Sequence, residues 1–218
     1  MIKKKDFIEL DYTGRVKEDG FVFDTTDEKT AKENNLADEK SPAHPAVVCV
    51  GENMILESID NQLPGKEIGK TYKFDLTAEQ AFGKKDAGLI KMLPLSTFSS
   101  QKIEPYVGLQ VTVDGILGVV KRSGGGRILV DFNHPLAGKD LLYEVKINKV
   151  IDDTKEKIKA ILLKFGIDSE IKYENDKATV KIEKTDEETK KIIKEKILGL
   201  TSVKDLSFEE INLNISKE

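Results

Sequence analysis

Residues 50–65 read Val50-Gly51-Glu52-Asn53-Met54-Ile55-Leu56-Glu57-Ser58-Ile59-Asp60-Asn61-Gln62-Leu63-Pro64-Gly65. Asn53 is a helix-capping residue type, Ile55, Leu56, Ile59 and Leu63 recur at helical spacing, and Pro64-Gly65 stops the run. The spacing predicts a helix of about two and a half turns. A helix that short does not stand alone and needs a sheet beneath it. Where it crosses a curved sheet, its apolar side floors a hollow at one end.

The flanking segments supply the sheet. Ile8, Leu10 and Tyr12 alternate with Glu9, Asp11 and Thr13, Glu18-Asp19-Gly20 turns, and Phe21-Val22-Phe23-Asp24 returns as the second arm of a hairpin. Thr25 to Lys40 is a polar surface excursion with room for one helical turn. Pro42 and Pro45 stiffen the approach to Ala46-Val47-Val48-Cys49-Val50, an apolar run with the character of a buried strand. Downstream, Tyr72, Phe74 and Leu76 alternate with Lys73, Asp75 and Thr77, and Gly83 permits a tight turn that directs Phe82 inward. Between Leu89 and Phe132 lies a separate meander: a helical turn at Leu95 to Phe98, then runs at Leu109–Val113, Ile116–Val120 and Ile128–Phe132. Asp114-Gly115 and Ser123-Gly124-Gly125-Gly126 separate those runs. After the loop Asn133-His134-Pro135-Leu136-Ala137-Gly138, alternation resumes at Leu141, Tyr143, Val145 and Ile147.

From Asp153 a new pattern begins. Ile158, Ile161, Leu162 and Phe165 mark a helix ended by Gly166, and Ile171 and Tyr173 face Val180 and Ile182 across Asn175-Asp176. A second helix carries Ile192, Ile193 and Ile197 behind a capping box of Thr185 and Glu188, and Leu206 to Ile215 reads as a last strand. The result is an αββαβ unit, enough for a small domain or a dimerisation module.

Composition narrows the function. With 35 Lys plus Arg against 39 Asp plus Glu, the 218-residue chain has a formal net charge of -4 with both signs interspersed, which argues against a dedicated nucleic-acid binder. One cysteine, Cys49, and two histidines leave no internal disulfide and no Cys/His cluster for a metal, so no cofactor is expected. No apolar run reaches the length of a membrane span and the N-terminus lacks a signal core, so a cytoplasmic protein is expected. The Gly124–Gly126 triplet lacks a following Lys-Ser/Thr and opens a strand, which favours a hairpin tip over a phosphate cradle. His134 has no acidic or thiol partner at ligand spacing, so positioning of its loop outweighs metal or proton chemistry. His44, between two prolines, reads as solvated, and Asp24 without a second carboxylate is weak evidence for proton transfer.

Asp11-Tyr12-Thr13-Gly14 with Phe23-Asp24, taken singly, fit two strands carrying core aromatics. In order with Val50-Gly51, Ile55-Leu56, Ile59, Ala81-Phe82-Gly83, Asn133-His134-Pro135-Leu136-Ala137-Gly138 and Tyr143, the series resembles the FKBP-type peptidyl-prolyl cis/trans isomerases, in their SlyD-like long archaeal form. The resemblance covers residues 1 to about 152. It implies an α+β fold: an FKBP-like curved antiparallel sheet over a short helix (residues 1–88 plus 133–152) and an inserted small all-β chaperone domain (89–132). The C-terminal αββαβ domain (153–218) follows.

The resemblance also implies roles. Phe23, Ile55, Ile59, Phe82 and Tyr143 enclose a proline ring, the Ile55-Leu56 backbone anchors the bound chain, Asp24 faces the carbonyl carbon, and Tyr12 orients Asp24. Ile59 stands where many members carry a larger aromatic residue, Phe82 where many carry tyrosine, and Ser58 where glycine is usual. These departures keep a rival open, a non-catalytic holdase or adaptor on the same fold. In the insert, Met92, Leu93, Leu95, Phe98, Val107, Ile116 and Leu117 line a groove for unfolded chain or form the insert's own core. Implied partners are unfolded or nascent polypeptides containing proline, and a second copy through the C-terminal module. Neither nucleic acid nor membrane is implied, and no histidine-rich metal-binding tail is present.

Overall fold

The computed structural model describes residues 1–37, 42–100 and 102–210. The expected continuation of the last strand to Ile215, and the end of the polar excursion at residues 38–40, lie outside the described residues. In chain order the elements are β1 (Phe7–Val16), β2 (Val22–Thr25), α1 (Glu28–Glu33), β3 (Ala46–Cys49), α2 (Glu57–Asp60), β4 (Thr71–Leu76), β5 (Ile90–Pro94) and α3 (Leu95–Ser99). Then come β6 (Gln110–Val113), β7 (Ile116–Gly124), β8 (Arg127–Asp131), β9 (Leu141–Val150), α4 (Thr154–Lys164), β10 (Ile171–Glu174), β11 (Lys177–Ile182), α5 (Glu187–Leu200) and β12 (Asp205–Glu210). They fall into two compact units, Met1–Arg15, Gly20–Asp75 and Leu142–Glu218 in the first, Val16–Asp19 and Leu76–Leu141 in the second.

The first unit is built on a sheet of order β2-β1-β9-β4, with β3 also paired to β1. Both β2 and β3 run antiparallel to β1, in registers that include Gly14↔Asp24 and Ile8↔Val48. Ile8 and Leu10 are fully buried on one face of β1, as the alternation requires. Phe7, on the opposite face, is buried as well. Its cover comes from the C-terminal module: Phe7, Cys49 and Ile151 share one apolar cluster with Ile158, Ile161, Leu162, Ile193 and Ile197 of α4 and α5. That module has its own sheet of order β10-β11-β12, antiparallel between β10 and β11 and parallel between β11 and β12. Ile171 meets Val180 as expected, whereas Tyr173 meets Ala178.

Two local expectations need correction. The helix after Asn53 has only four residues, and Asn53 does not cap it; its φ of 53° places it in a left-handed turn ahead of the N-cap, Leu56. The apolar spacing of Ile55, Leu56, Ile59 and Leu63 comes from a turn, a short helix and a second turn in succession. At α5 the cap is Asp186, whose carboxylate accepts the Thr189 amide at 2.8 Å, while the Thr185 hydroxyl donates to the Glu183 carbonyl.

The second unit holds a four-stranded sheet of order β5-β8-β7-β6, antiparallel at each pairing. Phe98, Val111, Val120, Ile128 and Val130 form its core. Gly118 is required there, because a Cβ would lie 2.7 Å from the side chains of Phe132 and Val130. β7 runs through Ser123 and Gly124, so the glycine turn narrows to Gly125-Gly126, both at positive φ. β5 has no counterpart among the sequence expectations.

Candidate active site

Tyr12, Phe23, Asp24 and Tyr143 converge in the first unit. β1 presents Tyr12, β2 presents Phe23 and Asp24, and β9 presents Tyr143. The Tyr12 hydroxyl donates to Asp24 Oδ2 at 2.8 Å. The Tyr143 ring sits edge-on to Phe23, with centroids 5.6 Å apart, and tilted against Tyr12 at 6.0 Å. Gly14 makes room for this packing: a Cβ there would stand 2.7 Å from the Phe23 ring and 3.0 Å from that of Tyr143. Threonines hold the strands beneath in register. The Tyr12 amide donates to Thr26 Oγ1 at 2.8 Å, the Thr26 amide returns to the Tyr12 carbonyl at 2.9 Å, and the Thr13 and Thr25 hydroxyls share a hydrogen bond.

Burial, then the negative charge of Asp24 and the hydrogen bond to it, raises the Tyr12 hydroxyl well above the ordinary phenol range. Burial and the Asp24 charge do the same for Tyr143. Both phenols therefore remain protonated donors at physiological pH. The cluster offers aromatic surface and one oriented carboxylate. It offers no nucleophile, and among the described residues no group of acidic, cysteine and histidine side chains could hold a metal ion.

In the same unit, Ile55 and Leu56 are half-buried ahead of α2, and Ile59 is fully buried. Sequence reasoning missed the residue that shapes this approach. Asp60, 1% exposed, accepts the Gly51 amide at 2.8 Å and the Asn53 amide at 2.7 Å. Nothing in the sequence distinguishes it from its polar neighbours Glu57, Ser58, Asn61 and Gln62. Asp60→Ala strands two donors and should destabilise the protein by about 1–3 kcal/mol, with Asp60→Asn costing less. Chemical denaturation of the two variants measures both losses.

A hollow in this unit, about 590 Å³, is bordered by Asp11, Arg15, Asp27, Glu144 and Lys146. Tyr12 reaches its edge, but walls of that polarity would keep an amide solvated.

Phe82, Met92, Leu93 and Phe98 belong to the second unit. Phe82 stacks on His134, with centroids 4.3 Å apart and planes 7° from parallel. His134 Nδ1 accepts the Leu136 amide at 3.2 Å, and the Gly138 amide donates to the Gly83 carbonyl at 2.8 Å. His134 thus braces its loop and the Phe82 ring together. Of the apolar residues singled out in the insert, Phe98 is buried at 2% in the core and Leu93 packs against that core, whereas Met92, Leu95, Val107, Ile116 and Leu117 are exposed.

The neck of the insert was also missed. Asn133 accepts the Asp86 amide at 2.8 Å and donates from Nδ2 to the Asp86 carbonyl and to Asp131 Oδ1. Asp131 further pairs with Lys85 at 3.0 Å. Burial alone would raise the Asp131 pKa, but the Asn133 side-chain bond, the Lys85 bond, the Asn133 amide and the Lys85 charge together bring it down to about 2. The stability this carboxylate contributes is complete above the unfolded value of about 4 and is lost as pH falls toward 2. The stability difference between the native chain and Asp131→Asn should therefore shrink over that acid range in melts taken at successive pH values.

Residues 1–99 match the family model described as FKBP-type peptidyl-prolyl cis-trans isomerase, and residues 91–136 match the one described as FKBP26, IF domain. A short-type peptidyl-prolyl cis-trans isomerase of Methanocaldococcus jannaschii is 31% identical over 150 residues, 69% of this chain and 94% of that protein. The FKBP-type isomerase SlyD of Pasteurella multocida is 28% identical over 127 residues, 56% of this chain and 63% of its own length. An FKBP-type 16 kDa isomerase of Escherichia coli is 31% identical over 111 residues, 49% and 74% of the two chains. The aromatic cluster that Asp24 completes is thus carried by a chain that belongs to the FKBP-type peptidyl-prolyl cis-trans isomerases, enzymes of the SlyD-like kind.

Proposed function

We propose that Tyr12, Phe23, Asp24 and Tyr143, with Ile55, Leu56 and the buried Ile59 of the α2 approach, form the pocket in which a prolyl bond turns. Rotation breaks amide resonance at a cost of about 18–20 kcal/mol and needs neither proton transfer nor a covalent step. Halfway round, the amide is less polar than in either planar state. A pocket poor in water therefore favours the twisted form, and lowering the barrier by about 5 kcal/mol gives several thousandfold in rate. Asp24 responds to the changing polarity of the carbonyl carbon, and Tyr12 fixes the carboxylate through its 2.8 Å hydrogen bond. That bond, beneath the Phe23–Tyr143 pair, is the observation that carries the assignment.

Chain segments 1–88 and 133–152 supply this pocket in the proposal. The insert, 89–132, acts as a folding chaperone: it holds unfolded or nascent proline-containing chain and, being tethered on the same polypeptide, raises the concentration of that chain for the isomerase. Its exposed Met92, Leu95, Val107, Ile116 and Leu117 support that role. The module from residue 153 adds binding surface, and the cytoplasm is the proposed compartment. Among the described residues no helix is long and apolar enough to cross a membrane.

The rival of a holdase with little turnover draws on the residue types at Ile59 and Phe82, which carry no indole and no hydroxyl. A protease-coupled assay on a proline tetrapeptide, with and without a pocket-filling macrolide, decides between them. Turnover abolished by the drug is the expected result; suppression of aggregation without turnover would establish the holdase.

A further inference from the structure

The insert differs in charge from the chain that carries it. Residues 89–132 contain five Lys or Arg and three Asp or Glu, against thirty and thirty-six in the remainder. Of the three arginines in the sequence, two are Arg122 and Arg127.

Strand register places both on one face. Ile128, Val130 and Val120 point into the insert's core. Side chains alternate along a strand, so Leu129 and Arg127 point the other way. Met92 on β5 and Arg122 on β7 lie directly across from Leu129, one on each side. Leu117 and Val119, out of phase with buried Val120, share this outer face. Met92 and Leu117 are 59% and 55% exposed.

The face is therefore an apolar strip with two guanidiniums, Arg127 on β8 itself and Arg122 on the neighbouring β7. Arg127 Nη1 lies 3.9 Å from Met92 Sδ, and among the described residues neither arginine forms a salt bridge. Asp131, the acidic residue on this face, is already engaged by Lys85 and Asn133.

We propose that this outer face binds extended polypeptide segments carrying carboxylate side chains among apolar ones, a substrate class that rests on the insert being the unfolded-chain binder. An extended segment repeats every two residues, as the sheet does, so alternate side chains all face the strip. Arginine presents a planar fork that a carboxylate fills with two parallel hydrogen bonds, which lysine does not match. Apolar steps supply burial and acidic steps select the segment.

The test uses the full chain and short labelled peptides in which Leu, Phe and a variable residue occupy every second position, separated by serine. The variable residue is Glu, Gln or Lys. Fluorescence anisotropy should show the Glu peptide binding about tenfold tighter than the Gln peptide at low ionic strength, the Lys peptide weakest, and the margin narrowing as salt is added. Arg122→Gln combined with Arg127→Gln should erase the Glu margin, keep the Gln peptide within about twofold, and leave tetrapeptide isomerisation and the melting temperature unchanged. A Gln peptide that binds with no Glu margin, or a margin that survives in the double variant, overturns the proposal and leaves the chaperone reading standing. An oligothymidylate that binds more tightly than the Glu peptide overturns it in favour of nucleic acid. If no peptide binds and the native chain fails to suppress aggregation of an unfolded protein, the chaperone reading falls and this proposal with it.

Discussion

Phe23→Ala is expected to lower kcat/KM on a proline tetrapeptide by about a hundredfold. The ring meets Tyr143 edge-on at 5.6 Å, and β1 carries a glycine at position 14 where any Cβ would strike it. Phe23 is half-buried, which leaves ring surface for a bound proline to cover, and burying such a face contributes about 2–3 kcal/mol, the equivalent of that hundredfold. Two companion variants give the result its meaning. Tyr12→Phe removes one hydrogen bond and leaves the aromatic wall in place, so a loss of only a few-fold is expected. Asp24→Ala, which removes the carboxylate proposed to face the carbonyl carbon, should fall between the two. Equal and small losses in all three would place the chemistry elsewhere.

Deleting Leu89 to Phe132 should separate the two activities proposed for the native chain. The Phe132 amide donates to the Leu89 carbonyl at 2.9 Å, and Asn133 clasps Asp86 from both sides of its side-chain amide, so a short turn can rejoin the ends. Isomerisation of a tetrapeptide should then change by less than about threefold. Refolding of a protein limited by a proline bond should slow by about a hundredfold, because the local concentration that a tethered second site provides is lost. Equal effects in the two assays would remove the chaperone role from the insert. A melting curve with an unchanged midpoint excludes simple unfolding of the shortened chain.

Much of the first sheet was legible because its strands have one face in the core and one in water. Ile8 and Leu10 against Glu9 and Asp11, or Phe74 and Leu76 against Lys73 and Asp75, announce a period of two. That four aromatic and acidic residues would converge was expected only from their order along the chain, since no spacing predicts that Tyr12 and Tyr143, more than a hundred residues apart, will touch. The misses have local causes. β5 reads Ile90-Lys91-Met92-Leu93-Pro94, and its partly exposed apolar residues blur the alternation. The helix over residues 53–63 was overdrawn because the same apolar spacing serves a helix or a pair of turns, and the deciding group, Asp60, acts through backbone donors that a sequence does not display. The Thr185 cap failed for a similar reason: two adjacent residues of capping type compete, and Asp186 wins by one position. The Asn133 clasp joins positions 47 residues apart and had no local signature.

Cys49 has a use that follows from where it lies. Its thiol is fully buried at the seam between β3 and the α4–α5 layer, and burial, followed by the charges of Glu52 and Asp60, pushes its pKa up to about 12. A neutral, enclosed thiol ignores alkylating reagents until that seam parts. The sole sulfhydryl of the chain is therefore a built-in clock for the parting of the α4–α5 layer from β3, read by mass spectrometry as the mass that alkylation adds.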